Sequence, residues 1–310
     1  MAQPVRAAVV GVGYLGAFHA EKYASLADVD LVGIVDSDRA RAEEIAGRFG
    51  TRVLPGIEGL GDVADCVSLA VPTSAHFRIT RQLLEAGLDV LVEKPMTETV
   101  DEGRALVDLA AREARILQVG HLERFNPAIR ALASIVSQPR FIECHRLAPF
   151  VERGTDVDVI LDLMIHDLDI ILSLVQGALV AVEAVGIPVL SETTDIANAR
   201  LRFEGGCIAN VTASRVTLKR ERKLRLFQSD TYVSVDYSNK HVQVVRRRFV
   251  DGQPQFDVDE RDLGAGDALF AEIEHFVSCV RSRQAPLVDG AAALRALEVA
   301  HQIRDSLESA

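Results

Sequence analysis

The fold of this chain is decided near its start by residues 5–16, which read VRAAVVGVGYLG. An apolar run typical of a buried strand leads directly into a Gly-x-Gly-x-x-Gly motif at Gly11, Gly13 and Gly16, and a helical pattern begins at Tyr14. Glycine at these positions permits a tight turn, a close approach of a pyrophosphate to the backbone and close packing of the helix on the strand. The helix N-terminus also favours negative charge. The motif therefore predicts the phosphate-binding turn of a dinucleotide-binding βαβ unit.

The second strand of this unit is expected to end at Asp36, twenty residues beyond Gly16. A carboxylate at this position would accept hydrogen bonds from the adenosine ribose hydroxyls and repel a 2′-phosphate, so NAD is favoured over NADP. Arg39 could accommodate a phosphate instead, and Asp36 could also cap the second helix alongside Ser37 and Asp38. A glycine-rich turn that binds no ligand is the alternative interpretation of the motif.

Short apolar runs alternate with amphipathic segments over the first 120 residues. This alternation is typical of a parallel sheet wound by right-handed crossovers. The predicted strands are residues 5–10, 31–35, 66–71, 90–92 and 116–119, and the predicted helices are residues 14–26, 37–49, 74–86 and 98–114. We therefore expect an α/β fold in which residues 1–121 form an NAD-binding Rossmann domain with a doubly wound parallel sheet.

The pattern changes after residue 121. It predicts an apolar helix at residues 157–175, then strands at 179–189, 197–203, 207–214, 223–228 and 242–248, and amphipathic helices at 268–281 and 291–307. We expect residues 122–310 to form a second α+β domain on a mostly antiparallel sheet, for substrate binding and oligomerisation, with helix 291–307 able to pack back on the first domain. One uncovered face of this sheet would favour a homodimer or homotetramer.

The composition limits the class of protein. The chain has 310 residues, 48% hydrophobic and 25% charged, as is ordinary for a soluble protein, and its net charge of −11 argues against nucleic-acid binding. Its start lacks a signal-peptide pattern, and no uncharged run is long enough to span a bilayer. The cysteines lack metal-site spacing and are expected to be buried, reduced thiols; they are Cys66, Cys144, Cys207 and Cys279. A cytoplasmic enzyme without metal, membrane or nucleic-acid partners is expected.

A Glu-Lys-Pro sequence, Glu93-Lys94-Pro95, follows the fourth predicted strand at the sheet edge where open α/β sheets bind ligands. Pro95 fixes the local backbone and sets the direction in which Lys94 presents its ammonium group. The alternative interpretation is an ordinary solvated surface lysine.

Residues 156–176 contain no Lys, Arg or Glu, which a surface helix would use. Their polar side chains recur at helical spacing and predict one narrow stripe lining a cavity; they are Asp158, Asp162, His166, Asp169 and Ser173. Asp162 and His166 lie one turn apart, and Asp169 is expected to orient the His166 ring, which is a general-base arrangement. A hydrogen-bonded core histidine and half of a metal site are the alternatives, the latter without obvious further ligands.

Basic residues cluster at 215–225 and 246–248, which is typical of solvated strand faces, although such a patch can also neutralise a nucleotide diphosphate. Residues at the expected approaches to the cleft are predicted to bind substrate; they are Arg124, Asn126, Arg146, Arg153 and Arg215.

Together these motifs resemble the glucose-fructose oxidoreductase / inositol dehydrogenase (Gfo/Idh/MocA) family over essentially the whole length. The glycine motif, the Val71-Pro72-Thr73-Ser74-Ala75-His76 turn, Glu-Lys-Pro and Asp162-x-x-x-His166 follow in the family order, with Met164 where the family commonly has glycine. The resemblance implies that Lys94 binds the reacting hydroxyl and that Asp162 and His166 complete the site. The cofactor-binding residues are expected to be Gly11, Gly13, Tyr14, Leu15, Gly16, Asp36, Arg39, Val71, Pro72, Thr73, His76, Glu93 and Lys94.

Within the family, residues 120–127 and 162–169 are similar to the subgroup that includes UDP-N-acetylglucosamine 3-dehydrogenases of lipid A diamino-sugar synthesis. This resemblance implies NAD-dependent oxidation of a sugar or UDP-sugar hydroxyl, with a pathway aminotransferase as a partner. His166 would take the hydroxyl proton, Lys94 would hold the oxygen and Asp162 would position substrate or cofactor ribose. A cyclitol or free-sugar dehydrogenase, and a non-catalytic NAD-sensing regulator, are the alternatives.

Overall fold

The computed structural model describes residues 3–151, 157–264 and 266–308, so the predicted substrate residue Arg153 lies outside the described residues. The chain divides into two compact units. The first comprises residues 1–122 and 267–294, and the second comprises residues 123–266 and 295–310.

The first unit contains a five-stranded, all-parallel sheet in the order β2-β1-β3-β4-β5. Its strands are β1 Val5–Val10, β2 Val29–Val35, β3 Cys66–Leu69, β4 Asp89–Glu93 and β5 Leu117–Gly120. Its helices are α1 Tyr14–Ser25, α2 Arg39–Phe49, α3 Leu60–Val63, α4 Thr73–Glu85, α5 Val100–Arg112 and, late in the chain, α8 Ala268–Ser282. The predicted doubly wound parallel sheet is confirmed.

Helix α8 belongs to the first unit, although the sequence pattern placed it in the second domain. Ile273 and Phe276 are fully buried in the same apolar cluster as Val9 and Ile34 of the parallel sheet. The helical period of α8 shows that one face is apolar but does not show which sheet that face covers. Helix α9, Gly290–Glu308, begins in the first unit and continues in the second.

The second unit contains an eight-stranded sheet in the order β13-β12-β11-β10-β6-β9-β8-β7, in which all neighbours are antiparallel except β6 and β9. Its strands are β6 Phe141–Leu147, β7 Leu179–Ile187, β8 Ile196–Phe203, β9 Ile208–Ser214, β10 Glu221–Phe227, β11 Thr231–Asp236, β12 His241–Val250 and β13 Gln253–Asp262. The mostly antiparallel second sheet is therefore confirmed. Strands β6, β11 and β13 had not been predicted.

One face of this sheet carries the apolar core. Along β8, Ala197, Ala199 and Leu201 are fully buried while Asn198 and Arg200 between them are exposed. Helix α7, Ile165–Leu174, packs on the buried face against β6 and β9. Within the described residues the other face of β8 has no such cover, and self-association through it stays a prediction.

The predicted reduced cysteines are confirmed, because all four are buried and free. No helix among the described residues is long and apolar enough to cross a membrane. No cluster of three or more metal-binding side chains occurs in the part of the chain that the structure describes.

Candidate active site

The glycine loop of the first unit has the geometry that a dinucleotide requires. Gly11 has a φ of +83°, and a Cβ at Gly11 would lie 2.6 Å from the Ala70 carbonyl oxygen. A Cβ at Gly16 would lie 1.8 Å from the Gly11 carbonyl oxygen, so only glycine allows α1 to pack this closely. At Gly13 a Cβ would meet nothing within 4 Å, which leaves the loop open at the start of α1. The loop therefore fits a bound pyrophosphate.

The Asp36 carboxylate, directly after β2, accepts a hydrogen bond from the glycine loop. Its Oδ2 accepts the Val12 N–H at 2.6 Å and its Oδ1 accepts the Asp38 N–H at 2.8 Å. Asp38, not Asp36, is the N-cap of α2, where it accepts the Arg41 N–H at 3.1 Å. The capping alternative for Asp36 is therefore wrong, and its carboxylate is fixed at the position where a dinucleotide fold recognises ribose.

The guanidinium group beside the loop belongs to Arg41, which sequence reasoning missed. Arg41 donates from Nε to the Val12 carbonyl oxygen at 3.0 Å. Arg39 pairs instead with Glu43 at 2.9 Å, and its side chain is 78% exposed. The sequence offered no signal to separate them, because both arginines lie in the first turn of α2.

The exposed start of α1 completes the loop surface. Tyr14 and Leu15 are 61% and 44% exposed, and the Tyr14 ring meets the Phe18 ring edge to face with centroids 5.3 Å apart. Tyr14, Leu15 and Phe18 thus expose neighbouring apolar side chains on the first turns of the helix that follows the glycine loop. The predicted contact of Tyr14 and Leu15 with the cofactor is consistent with this exposure.

His76 joins the Val71 turn to the Glu-Lys-Pro turn. It lies on α4, is 1% exposed, and its Nδ1 and Nε2 are 2.8 Å from the Pro95 carbonyl oxygen and 2.9 Å from the Val71 carbonyl oxygen. Burial lowers the pKa of His76, against the raising effect of the two carbonyl groups. Both ring nitrogens of His76 contact backbone carbonyl groups of its own unit. His76 therefore stabilises the turn that contains Pro72 and Thr73.

Lys94 is half-buried directly after β4, and the Lys94–Pro95 peptide is cis. Glu93, the last residue of β4, pairs through Oε1 with His19 Nε2 at 2.9 Å. Burial would raise the pKa of Glu93, but His19 and Lys94 together hold that pKa below its ordinary value. His19 is a second residue that the sequence analysis missed, because it lies 74 positions from its partner.

The polar-striped segment of the second unit is not one continuous α-helix. A π-helical turn, Ile160–Met164, precedes α7, and Asp158 caps it by accepting the Ile160 and Leu161 N–H groups, each at 3.0 Å. Asp162 lies in the π-turn and His166 in the first turn of α7, both half-buried. The expected regular helix over 157–175 is therefore corrected. Single π-turns occur often at functional sites.

Met164, where the family commonly has glycine, is fully buried in the last position of this π-turn. Its side chain is part of the core rather than of the polar stripe. The departure from the family motif therefore leaves Asp162 and His166 accessible.

Arg146 is buried in an ion-pair network and does not present a free cation. Its Nε and Nη2 donate to Asp167 at 2.8 and 3.0 Å, and its Nη1 donates to Glu123 at 3.2 Å. Arg146 is 2% exposed. Burial would lower the pKa of its guanidinium group, but the two carboxylates raise that pKa above its ordinary value. The predicted substrate contact at Arg146 is corrected to a structural role. Asn126 is likewise buried, as the N-cap of α6 Pro127–Leu132.

Asp169 pairs with Arg124 in this structure. Arg124 Nη1 donates to Asp169 Oδ1 at 3.3 Å, and the Arg124 side chain is 14% exposed. The expected role of Asp169 in orienting His166 stays a prediction. Together with the Arg146–Asp167 pair, this contact holds the two acids, Asp167 and Asp169, that follow His166 in α7.

Arg215 is also buried and paired within its own unit. It donates to Asp195 Oδ1 at 2.7 Å, to the Val157 carbonyl oxygen at 2.8 Å and to Thr193 Oγ1 at 2.6 Å. Burial would raise the pKa of Asp195, but Arg215 and Ser191 lower it well below its ordinary range. The predicted substrate contact at Arg215 is therefore corrected as well, because this guanidinium group holds a loop.

In the first unit, a glycine loop followed by an acid directly after β2 has the form of a dinucleotide-binding site. Residues 5–121 match the oxidoreductase family with an NAD-binding Rossmann fold, and residues 128–233 match the GFO/IDH/MocA C-terminal domain. The chain belongs to the GFO/IDH/MocA family of oxidoreductases, and its cofactor is NAD.

Relatives cover nearly the whole chain. It is 39% identical over 308 residues to UDP-N-acetylglucosamine 3-dehydrogenase from Acidithiobacillus ferrooxidans, covering 98% of each chain. A solved structure of that enzyme superposes with a TM-score of 0.92 at 38% identity, covering 99% of this chain and 98% of the other. The chain is also 28% identical over 327 residues to a scyllo-inositol 2-dehydrogenase (NAD(+)) from Bacillus subtilis, covering 96% and 93% of the two chains.

Proposed function

We propose that this chain oxidises the 3-hydroxyl of UDP-N-acetylglucosamine to a ketone, with NAD as the hydride acceptor. The observation that carries this proposal is the 39% identity to the Acidithiobacillus ferrooxidans enzyme over 98% of both chains. At that coverage the match extends over both units, which supports the proposal more strongly than a match confined to the dinucleotide-binding unit would.

Lys94, Asp162 and His166 are proposed to perform the chemistry. Bound NAD supplies an electrophilic ring that accepts a hydride. Lys94 binds the reacting hydroxyl oxygen and stabilises the charge that develops as its proton leaves. His166 accepts that proton at a ring nitrogen, and Asp162 binds a neighbouring hydroxyl so that the reacting carbon is oriented.

The first unit supplies the groups that would hold NAD. The open Gly13 side of the loop and the α1 N-terminus suit the pyrophosphate, and the fixed Asp36 carboxylate suits the ribose hydroxyls. Arg41, rather than Arg39, is the cation that a 2′-phosphate would meet beside this loop.

The diphosphate of the substrate requires cations outside the reacting centre. Because Arg146 and Arg215 are buried in ion pairs, the predicted contacts that remain are Arg124, which is partly exposed, and Arg153. Binding energy from the remote nucleotide can position the 3-hydroxyl, so Arg153→Ala should weaken oxidation of the nucleotide sugar more than that of the free sugar.

A substrate panel tests the proposal. NADH formation is measured with UDP-N-acetylglucosamine, N-acetylglucosamine, UDP-glucose and scyllo-inositol, and the product is identified by mass spectrometry as the substrate less two hydrogens. UDP-N-acetylglucosamine should give the highest kcat/KM by a wide margin. Preferred turnover of an inositol or free sugar would instead assign the chain to another branch of the family, and NAD binding without turnover would identify a non-catalytic sensor.

The remaining parts of the proposal concern the cellular setting. The exposed face of β8 supports the part of the proposal that the chain forms a homodimer or homotetramer. The proposal also places the enzyme in the cytoplasm and has its 3-keto product pass to an aminotransferase of lipid A diamino-sugar synthesis, because a ketone is the group on which an aminotransferase acts. Light scattering gives the oligomer mass, and amine formation in a coupled assay with such an aminotransferase tests the partner.

A further inference from the structure

A buried pair of side chains lies beside the Glu-Lys-Pro turn of the first unit. His19 Nε2 is 2.9 Å from Glu93 Oε1, and the His19 side chain is fully buried while that of Glu93 is 13% exposed. The second carboxylate oxygen, Glu93 Oε2, accepts the backbone N–H of Lys94 at 3.3 Å. One carboxylate therefore connects helix α1 to the peptide that carries Lys94.

The neighbouring strand β5 leaves space for the Glu93 carboxylate. Gly120 of β5 lies opposite Glu93 in the strand register, and a Cβ at Gly120 would come within 2.9 Å of Glu93 Oε2. Among the described residues, His19 Nδ1 has no hydrogen-bond partner, so Glu93 fixes the ring through Nε2 alone. To donate to the Glu93 carboxylate, the His19 ring must carry a proton at Nε2.

We propose that His19 and Glu93 are positioning residues for Lys94. His19 holds the Glu93 carboxylate in the orientation in which Oε2 fixes the Lys94 peptide, and the fixed peptide aims the ammonium group at the reacting oxygen. The inference rests on the role of Lys94 in the proposed function. Small displacements of such a group reduce the rate of reaction even when folding and cofactor binding are intact.

Kinetics provide the first test. His19→Leu removes the donor but retains an apolar side chain, and kcat with UDP-N-acetylglucosamine should fall by about tenfold to a hundredfold. The Kd for NAD should stay close to that of the native protein. His19→Gln keeps an N–H near the position of Nε2 and should recover most of the lost kcat.

A matched control comes from the same helix. Tyr23 is fully buried one turn after His19, and its hydroxyl is 2.8 Å from Ser68 Oγ. Tyr23→Phe removes a buried hydrogen bond that has no connection to Lys94, so it should lower the melting temperature without lowering kcat. An equal loss of kcat in Tyr23→Phe and His19→Leu would show that only packing is involved and would overturn the proposal.

A second measurement does not depend on turnover. The chain has five lysines, so labelling lysine with 15N gives five backbone amide signals, and the Lys94 signal is identified by its loss in Lys94→Ala. His19→Leu should shift the Lys94 amide signal, because the hydrogen bond from that amide to Glu93 is disturbed, whereas Tyr23→Phe should leave it in place.

The results distinguish a failure of the proposed role of Lys94 from a failure of the positioning role of His19 and Glu93. Full turnover by Lys94→Ala would remove Lys94 from the proposed function, and with it the purpose assigned to the pair. An inactive Lys94→Ala combined with native kcat and an unshifted Lys94 signal in His19→Leu would overturn the positioning role alone.

Discussion

Replacing Arg146 with methionine should destabilise the second unit strongly, because the buried Asp167 carboxylate would lose its cation, whereas Glu123 keeps its contact with Arg222 at 3.2 Å. The Arg146 side chain is 3% exposed and lies 2.8 Å from Asp167 and 3.2 Å from Glu123, and the Asp167 side chain is 1% exposed. Removing one partner of a buried pair costs about 3–5 kcal/mol. At about 2–4 °C per kcal/mol for a unit of this size, the melting temperature should fall by roughly 6–20 °C.

Thermal and urea unfolding of the full chain measure this loss. Arg225→Met is the matched control, because Arg225 pairs with Glu143 at 3.4 Å and its side chain is 50% exposed, so less than about 1 kcal/mol should be lost. The double variant Arg146→Met with Asp167→Leu should recover part of the stability, since an apolar pair replaces the uncompensated charge. A loss in Arg146→Met no larger than in Arg225→Met would refute the assignment of a structural role to this network.

Three further predictions concern the cofactor, the chemistry and pH. NAD should bind much more tightly than NADP, and Asp36→Ala should narrow the difference; equal Kd values for the native protein by titration calorimetry would contradict the ribose contact. Lys94→Ala and His166→Ala should each lower kcat by a factor on the order of a hundred or more, with native melting and NAD binding, and full activity in either variant would exclude that residue from the mechanism. Because Arg215 lowers the folded-state pKa of Asp195, this pair contributes stability above the unfolded-state pKa, and the contribution is lost as pH falls through the folded-state pKa. Urea unfolding from neutral to acidic pH should therefore show a smaller decline for Asp195→Asn than for the native chain.

The parallel sheet could be predicted from the sequence because its strands are short apolar runs and the long helices between them carry apolar residues at helical spacing, whereas the four-residue helix α3 was not predicted. β1 and α1 begin at the predicted residues, and the glycine loop between them has the expected geometry. β13 escaped prediction because every one of its residues is at least partly exposed, so the strand has no buried face for periodicity to reveal. β6 and β11 do alternate buried with half-buried residues, but polar side chains such as Arg146 and Thr231 stand at buried positions and apolar ones at half-buried positions, which obscures the period in the sequence.

Site residues that lie close together in the sequence were predicted, whereas residues whose partners are distant in the sequence were missed or misassigned. Asp162 and His166 are four residues apart, so their spacing singled them out as candidates, although Asp162 lies in the π-turn and His166 in α7. The π-turn between Ile160 and Met164 left no sequence signal, because apolar residues suit either helix type. Arg146 and Arg215 were mistaken for substrate contacts because their carboxylate partners lie 21 and 20 residues away.

The residues assigned to chemistry lie beside carboxylates that are held by partners distant in the sequence. Glu93, next to Lys94, contacts His19, and Asp167 and Asp169, which follow His166, are paired with Arg146 and Arg124. These pairs restrain the segments that contain Lys94 and His166, and they also contribute to the stability of their own units. Because ionised groups are costly to bury unless they are paired, loss of one partner should disturb both the stability of the unit and the position of the neighbouring site residue. Native turnover combined with a lowered melting temperature in such a variant would show that the pair contributes to stability alone.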